Sequence, residues 1–135
     1  MKSIREKIIS SYFSPHTALD VVDMYNWLDQ NITICEADGL PWSGHYQGLQ
    51  GVGDYMSNVT RSIISEIKIE EVYSCGDKVI AIGRSVGKVV KTGRPFDIRM
   101  TQLFTFSDGN KIRKVEFLAD IPAFKAALDE NHPGP

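Results

Sequence analysis

The stretch from Arg94 to Ala119 constrains this chain most, because it reads as one long β-hairpin: RPFDIRMTQLFTF, the turn SDGN, then KIRKVEFLA. Successive side chains of a strand point to opposite faces. Before the turn, Met100, Gln102, Phe104 and Phe106 therefore share one side, and Asp97, Arg99, Thr101 and Thr105 share the other. After it, Arg113, Val115, Phe117 and Ala119 form one set, and Lys114 and Glu116 lie in the other. Asp108-Gly109 is expected to supply the positive φ angles of the reversal. A hairpin cannot bury an apolar face by itself, so the remainder of the chain must cover it.

What precedes the hairpin is first helical, then extended. Ile4, Ile8 and Tyr12 recur at helical spacing with Ile9 and Phe13 beside them, and Arg5, Glu6 and Lys7 are expected to face solvent. Ser14-Pro15 ends this helix, since proline disfavours helical backbone in the residue before it. Thr17 caps a second helix whose apolar stripe is Ala18, Val21, Val22, Tyr25 and Leu28. Asn31 to Cys35 is a β-branched run read as a short strand. If Ile32 and Ile34 point inward, Glu36 at the strand's end points inward with them.

The glycine-rich, aromatic stretch ADGLPWSGHYQGLQGVGDY reads as a loop over the mouth of a cavity. A third helix runs from about Gln50 to Ile64, with Val52, Tyr55, Met56, Val59 and Ile63 on its apolar side. From Ser65 the pattern has period two: a strand to Cys75, a turn at Gly76-Asp77, and a second strand from Lys78 to Val90. On that strand Ile80, Ile82, Arg84 and Val86 share a face, which places Arg84 as a charge on an apolar side. Asp120 and Pro122 start a terminal helix in which Ala123, Phe124, Ala127 and Leu128 seal one end of the sheet.

The 135 residues are expected to form a single domain over 1–130, with residues 131–135 as a disordered tail. A net charge of -2 with interspersed signs gives no basic stripe, so nucleic acid is not an expected partner. No apolar run approaches the roughly 20 residues that span a bilayer, and MKSIREKIIS lacks a signal-peptide core. The expectation is a cytoplasmic protein without a membrane partner. Cys35 and Cys75 read as buried thiols. His16 and His45 read as surface residues and His132 lies in the tail, too scattered for a metal site.

Helix, helix, strand, helix, four meandering strands and a short helix make an α+β cone, in which a curved antiparallel sheet wraps around three N-terminal helices and leaves an internal pocket. In SSYF, DVVDMYNWLDQNITICE, LPWSGHYQGLQGV, KTGRPFDIRMTQLFTFSDGNKI and VEFLAD the chain resembles the nuclear transport factor 2-like superfamily, more closely its SnoaL-like and ketosteroid-isomerase-like branch. The resemblance covers nearly the whole chain. It specifies fold better than function, since one fold hosts isomerases, cyclases, hydrolases, dehydratases and non-catalytic partners.

The resemblance implies three catalytic positions. Tyr12 falls where ketosteroid isomerases place an oxyanion-donating tyrosine, Glu36 where they place the catalytic base, and Gln102 where they place a neutral aspartic acid donor. Arg84 matches the catalytic arginine of limonene epoxide hydrolases. The two aspartates of those enzymes fall on Val86 and Phe117, which excludes their mechanism here.

The chemistry expected is cofactor-free: Glu36 removes a proton next to a carbonyl, and Tyr12 and Gln102 stabilise the enolate, each donor worth about 3 kcal/mol. Arg84 is expected to bind ligand or to pair with Glu36. Trp42 and Tyr46 line the entrance, and Met100, Phe104, Val115 and Phe117 set the pocket wall for a small hydrophobic ligand. The alternative is a non-catalytic binding or assembly module of the same fold. The convex face, with Asp97, Arg99, Thr101, Lys114 and Glu116 among Leu103 and Leu118, is expected to form a homodimer.

Overall fold

The computed structural model describes residues 3–12 and 25–130, the side chains of 10–12 excepted. Among these, the elements in chain order are α1 (Ile4–Tyr12), β1 (Leu28–Glu36), β2 (Gly44–Gln47), α2 (Gly48–Ser62), β3 (Ile63–Cys75), β4 (Lys78–Val89), β5 (Pro95–Phe106), β6 (Ile112–Ala119) and α3 (Ile121–Leu128). The strands form a single curved, unclosed sheet in the order β2-β1-β6-β5-β4-β3. All neighbours run antiparallel except β1 and β6, which are parallel, so the sheet is mixed. The architecture is the expected α+β cone. The expected second helix, Tyr12's side chain, His16 and residues 131–135 lie outside the described residues.

The hairpin behaves as its alternation demands. Phe96, Ile98, Met100, Gln102 and Phe104 are buried, while Asp97 and Arg99 are exposed. Its second strand departs at one point. A bulge between the pairs Thr105–Lys114 and Phe106–Ile112 lets Ile112 bury, and Arg113 turns outward towards Asp77 at 3.5 Å instead of joining Val115. In the turn, the left-handed residue is Asn110, at φ 58, and Gly109 is not among the positive-φ residues. Asparagine tolerates this conformation. Its Oδ1 accepts a hydrogen bond from Arg5 Nε at 2.9 Å. Arg5 also lies over the Phe106 ring, so it joins α1 to the hairpin turn and does not simply face water as its charge suggested.

Several boundaries move. Leu28 opens β1 instead of closing a helix, and the NITIC run is the inner part of a longer strand. The glycine-rich stretch contains the short edge strand β2, paired with β1 from Thr33–Gln47 to Glu36–Gly44, before α2 begins at Gly48. Cys75 is exposed and Cys35 half-buried, so neither thiol is a core residue. Cys35 Sγ lies 3.2 Å from His45 Nδ1 on the convex side.

Strong bending of the β3–β4 ribbon rests on two glycines. A Cβ added at Gly83 would stand 2.1 Å from the Lys68 carbonyl oxygen, and one at Gly87 would stand 1.9 Å from that of Ile64. The backbone of β3 occupies the space side chains would need. At the other end of the sheet, Asp120 caps α3 by accepting from Ala123 N at 3.0 Å. Arg94 Nη1 donates to the carbonyls of Ala126, Ala127 and Asp129 at the helix's C-terminus. This helix drives Phe124 edge-on against Trp42 and Phe96. No described helix is long and apolar enough to cross a membrane.

Candidate functional site

The concave face of the sheet carries the site. Directly paired residues share a face, so the register defines a row running Glu36 (β1), Phe117 (β6), Gln102 (β5), Ala81 (β4). The next row is Ile34, Val115, Phe104 and Val79. Met100 lies one pleat away on the same strand as Gln102. Met100, Phe104, Val115 and Phe117 are all buried here. Two polar side chains, Glu36 and Gln102, thus flank Phe117 in an apolar wall, about 10 Å apart at their Cα atoms from two strand spacings.

Glu36 is 6% exposed. Helix α2 packs over β1 and brings Tyr55, three residues after Val52 on its buried stripe, to donate its hydroxyl hydrogen to Glu36 Oε2 at 3.0 Å. Trp42 also hydrogen-bonds the carboxylate, and as an indole it can only donate. Burial disfavours the charged form and dominates. It pushes the carboxyl from 4.5 up to about 7, against the opposing pull of the Trp42 and Tyr55 bonds. Among the described residues no cation pairs with Glu36.

Aromatic packing holds these donors in place. Tyr55 stacks on Phe117 with centroids 5.0 Å apart and planes 10° from parallel, and Tyr46 meets Tyr55 edge-on at 5.3 Å. The Tyr46 hydroxyl donates to the Trp42 carbonyl at 3.0 Å and accepts from Asn58 Nδ2 at 3.0 Å. Trp42 is 2% exposed, so it is a buried partner of Glu36 and not a residue of the entrance. Tyr46 is half-buried and acts on Glu36 through Trp42 and Tyr55.

Arg84 is on the other side of the sheet. The buried face of β4 is Val79, Ala81, Gly83 and Ser85, which puts Ile80, Ile82, Arg84 and Val86 on the convex face. Arg84 pairs there with Asp97 at 3.0 Å, both side chains more than a third exposed. It neither touches Glu36 nor lines the concave face. The misplacement follows from size: β4 buries its small residues where the sheet bends, and leaves its isoleucines outside.

Tyr55 and Trp42 are the site residues not read from the sequence in their true roles. The Tyr55 ring lies on the apolar stripe of its helix, as its spacing predicts; only the approach of α2 to β1 reveals its hydroxyl. Gln102 is 3% exposed, with Nε2 4.0 Å from Met100 Sδ and no hydrogen-bond partner for Oε1 among the described residues. Among those residues no three His, Cys, Asp or Glu side chains converge as a metal site.

A curved, unclosed mixed sheet of six strands with helices against it has the nuclear transport factor 2-like α+β cone fold. Within that class, the chain belongs to the SnoaL-like domain family, which it matches over residues 17–115. Solved structures agree. An NTF2-like protein of unknown function from Burkholderia pseudomallei superposes with a TM-score of 0.84 at 16% identity, covering 94% of this chain and 98% of that one. TerC, co-crystallized with polyporic acid, gives 0.82 at 18% identity, with 93% and 98% covered. A candidate SnoaL-like polyketide cyclase from Jannaschia sp. CCS1 gives 0.78 at 16% identity, with 96% and 97% covered. No curated protein matches the chain.

Proposed function

We propose that the protein is a cofactor-free general acid-base catalyst of the isomerase or cyclase type, acting on a small apolar carbonyl compound, with Glu36 as the base. One observation carries this reading: a buried carboxyl without a cation partner among the described residues, beside an apolar wall, where burial pushes its pKa up to about 7. A base is most effective when its pKa lies near the working pH, because it is then both deprotonated in good part and strong enough to act.

In this reading the Glu36 carboxylate takes a proton from the carbon next to the carbonyl, leaving an enolate and a neutral Glu36. In isomerisation Glu36 returns the proton to another carbon of the conjugated enolate; in cyclisation the enolate carbon bonds to a second carbonyl carbon, whose C=O π electrons move onto oxygen, and that alkoxide takes the proton back from Glu36. Gln102 Nε2, whose recorded contact is the weak one with the Met100 sulfur, is available to donate to the enolate oxygen. Tyr12 remains the second candidate donor by family position, its side chain lying outside the described residues. Tyr55 and Trp42 hold the carboxylate and tune it.

The test is hydrogen-deuterium exchange at the carbons beside the carbonyl of 2-indanone in heavy water, followed by proton NMR. The protein is expected to accelerate exchange, and Glu36→Gln to lower the rate by about 10²-fold or more. Equal rates for the two proteins would leave binding without turnover as the function.

A further inference from the structure

Gln102 carries more hydrogen-bonding capacity than the proton chemistry uses. Its neighbours on the concave face are Met100 and Phe104 along the strand, and Phe117 and Ala81 across it. None of these side chains can donate a hydrogen bond, and Oε1 is buried without a partner among the described residues. Gln102 Nε2 lies 4.0 Å from Met100 Sδ. A thioether sulfur can only accept, which suits the NH2 end at that position, and the carbonyl end is the one without a partner among the described residues. Buried acceptors are nearly always satisfied, and an unpaired one in a wall of apolar side chains is the exception that calls for a partner.

We propose that Gln102 reads the ligand through both ends of its amide, and that the ligand is a small planar ring compound in which an N–H or O–H donor stands beside the carbonyl. Nε2 donates to the carbonyl oxygen and Oε1 accepts from the neighbouring donor, a paired contact that fixes the ring in the plane of the amide. The base reading of Glu36 requires the carbon on the other side of the carbonyl to face Glu36, across Phe117, on which Tyr55 stacks. Gln102 is 3% exposed in the unliganded chain, so the ligand displaces a neighbour, and Met100, whose Sδ lies 4.0 Å from Nε2, has the unbranched, adaptable thioether of this wall. The small residues of β4 opposite, Ala81 and Gly83, leave the least bulk on this side of the amide. This assignment rests on the base reading of Glu36 only for the direction the ring faces.

Oxindole and 2-indanone form a matched pair, alike in shape, with an N–H in the first where the second has a CH2. Their affinities are to be measured by isothermal titration calorimetry on the whole chain, for the natural protein, Gln102→Met and Glu36→Gln. The natural protein is expected to bind oxindole at least tenfold more tightly than 2-indanone, Gln102→Met to level the two, and Glu36→Gln to keep the preference. Equal affinities in the natural protein, a preference that survives Gln102→Met, or no binding of oxindole at millimolar concentration would each overturn the proposal. The comparison of the two ligands on the natural protein decides the matter even if Gln102→Met does not fold. Deuterium exchange of 2-indanone needs no donor beside its carbonyl, so failure of base catalysis and failure of this contact are separately visible.

Discussion

The Tyr55 hydroxyl donates to Glu36 Oε2 at 3.0 Å, tying helix α2 to the last residue of strand β1. The bond favours the charged carboxylate and so opposes the upward push of burial. Tyr55→Phe keeps the ring stack on Phe117 and removes this donor. The Glu36 pKa is expected to rise above about 7 by roughly one unit, the worth of a hydrogen bond to a charged group. The pH midpoint of 2-indanone exchange should move upward with it. An unchanged or lower midpoint would mean that the hydroxyl stabilises the neutral acid instead.

Glu36 also links folding to pH. Its folded value of about 7 lies above the value of 4.5 it takes when solvated, so the folded state holds an extra proton between those limits. Stability from this group is fully present below 4.5 and is lost as pH rises through 7, by at most about 3 kcal/mol. Glu36→Gln removes the linkage. In urea titrations, the stability of the natural protein minus that of Glu36→Gln should fall by about that amount between pH 4 and pH 8. A pH-independent difference would contradict a desolvated Glu36.

The bend that shapes the concave face makes its own demand. Gly83→Ala places a methyl group 2.1 Å from the Lys68 carbonyl oxygen, a backbone atom that cannot swing aside. Overpacking of this kind costs about 3 kcal/mol. The urea midpoint should drop accordingly, with Gly87→Ala behaving alike because its methyl meets the Ile64 carbonyl. A midpoint within error of the natural protein would show that β3 can retreat from β4 freely.

Much of this was legible in the chain because period two carries burial wherever one face of a strand is apolar. Gln102 could be placed among Met100, Phe104 and Phe117 from alternation alone, and Glu36 followed from the parity of Ile32 and Ile34. The same logic failed on β4. There the bend selects small side chains for the inside, so the face richest in isoleucine is the outer one and Arg84 goes with it. The glycine-rich stretch hides an edge strand too, since the pairing of GHYQ with β1 has no local signature. The Tyr55–Glu36 contact joins residues 19 apart through helix packing, a relation that no spacing rule encodes.

The pKa of Glu36, followed by carbon-detected NMR titration with Glu36→Gln to assign the signal, decides whether this carboxyl is a base. A value near 7 is predicted, marking a desolvated carboxyl held as a base. A value at or below 4.5 would mean a solvated or ion-paired group, and would contradict the assignment of Glu36 as the base.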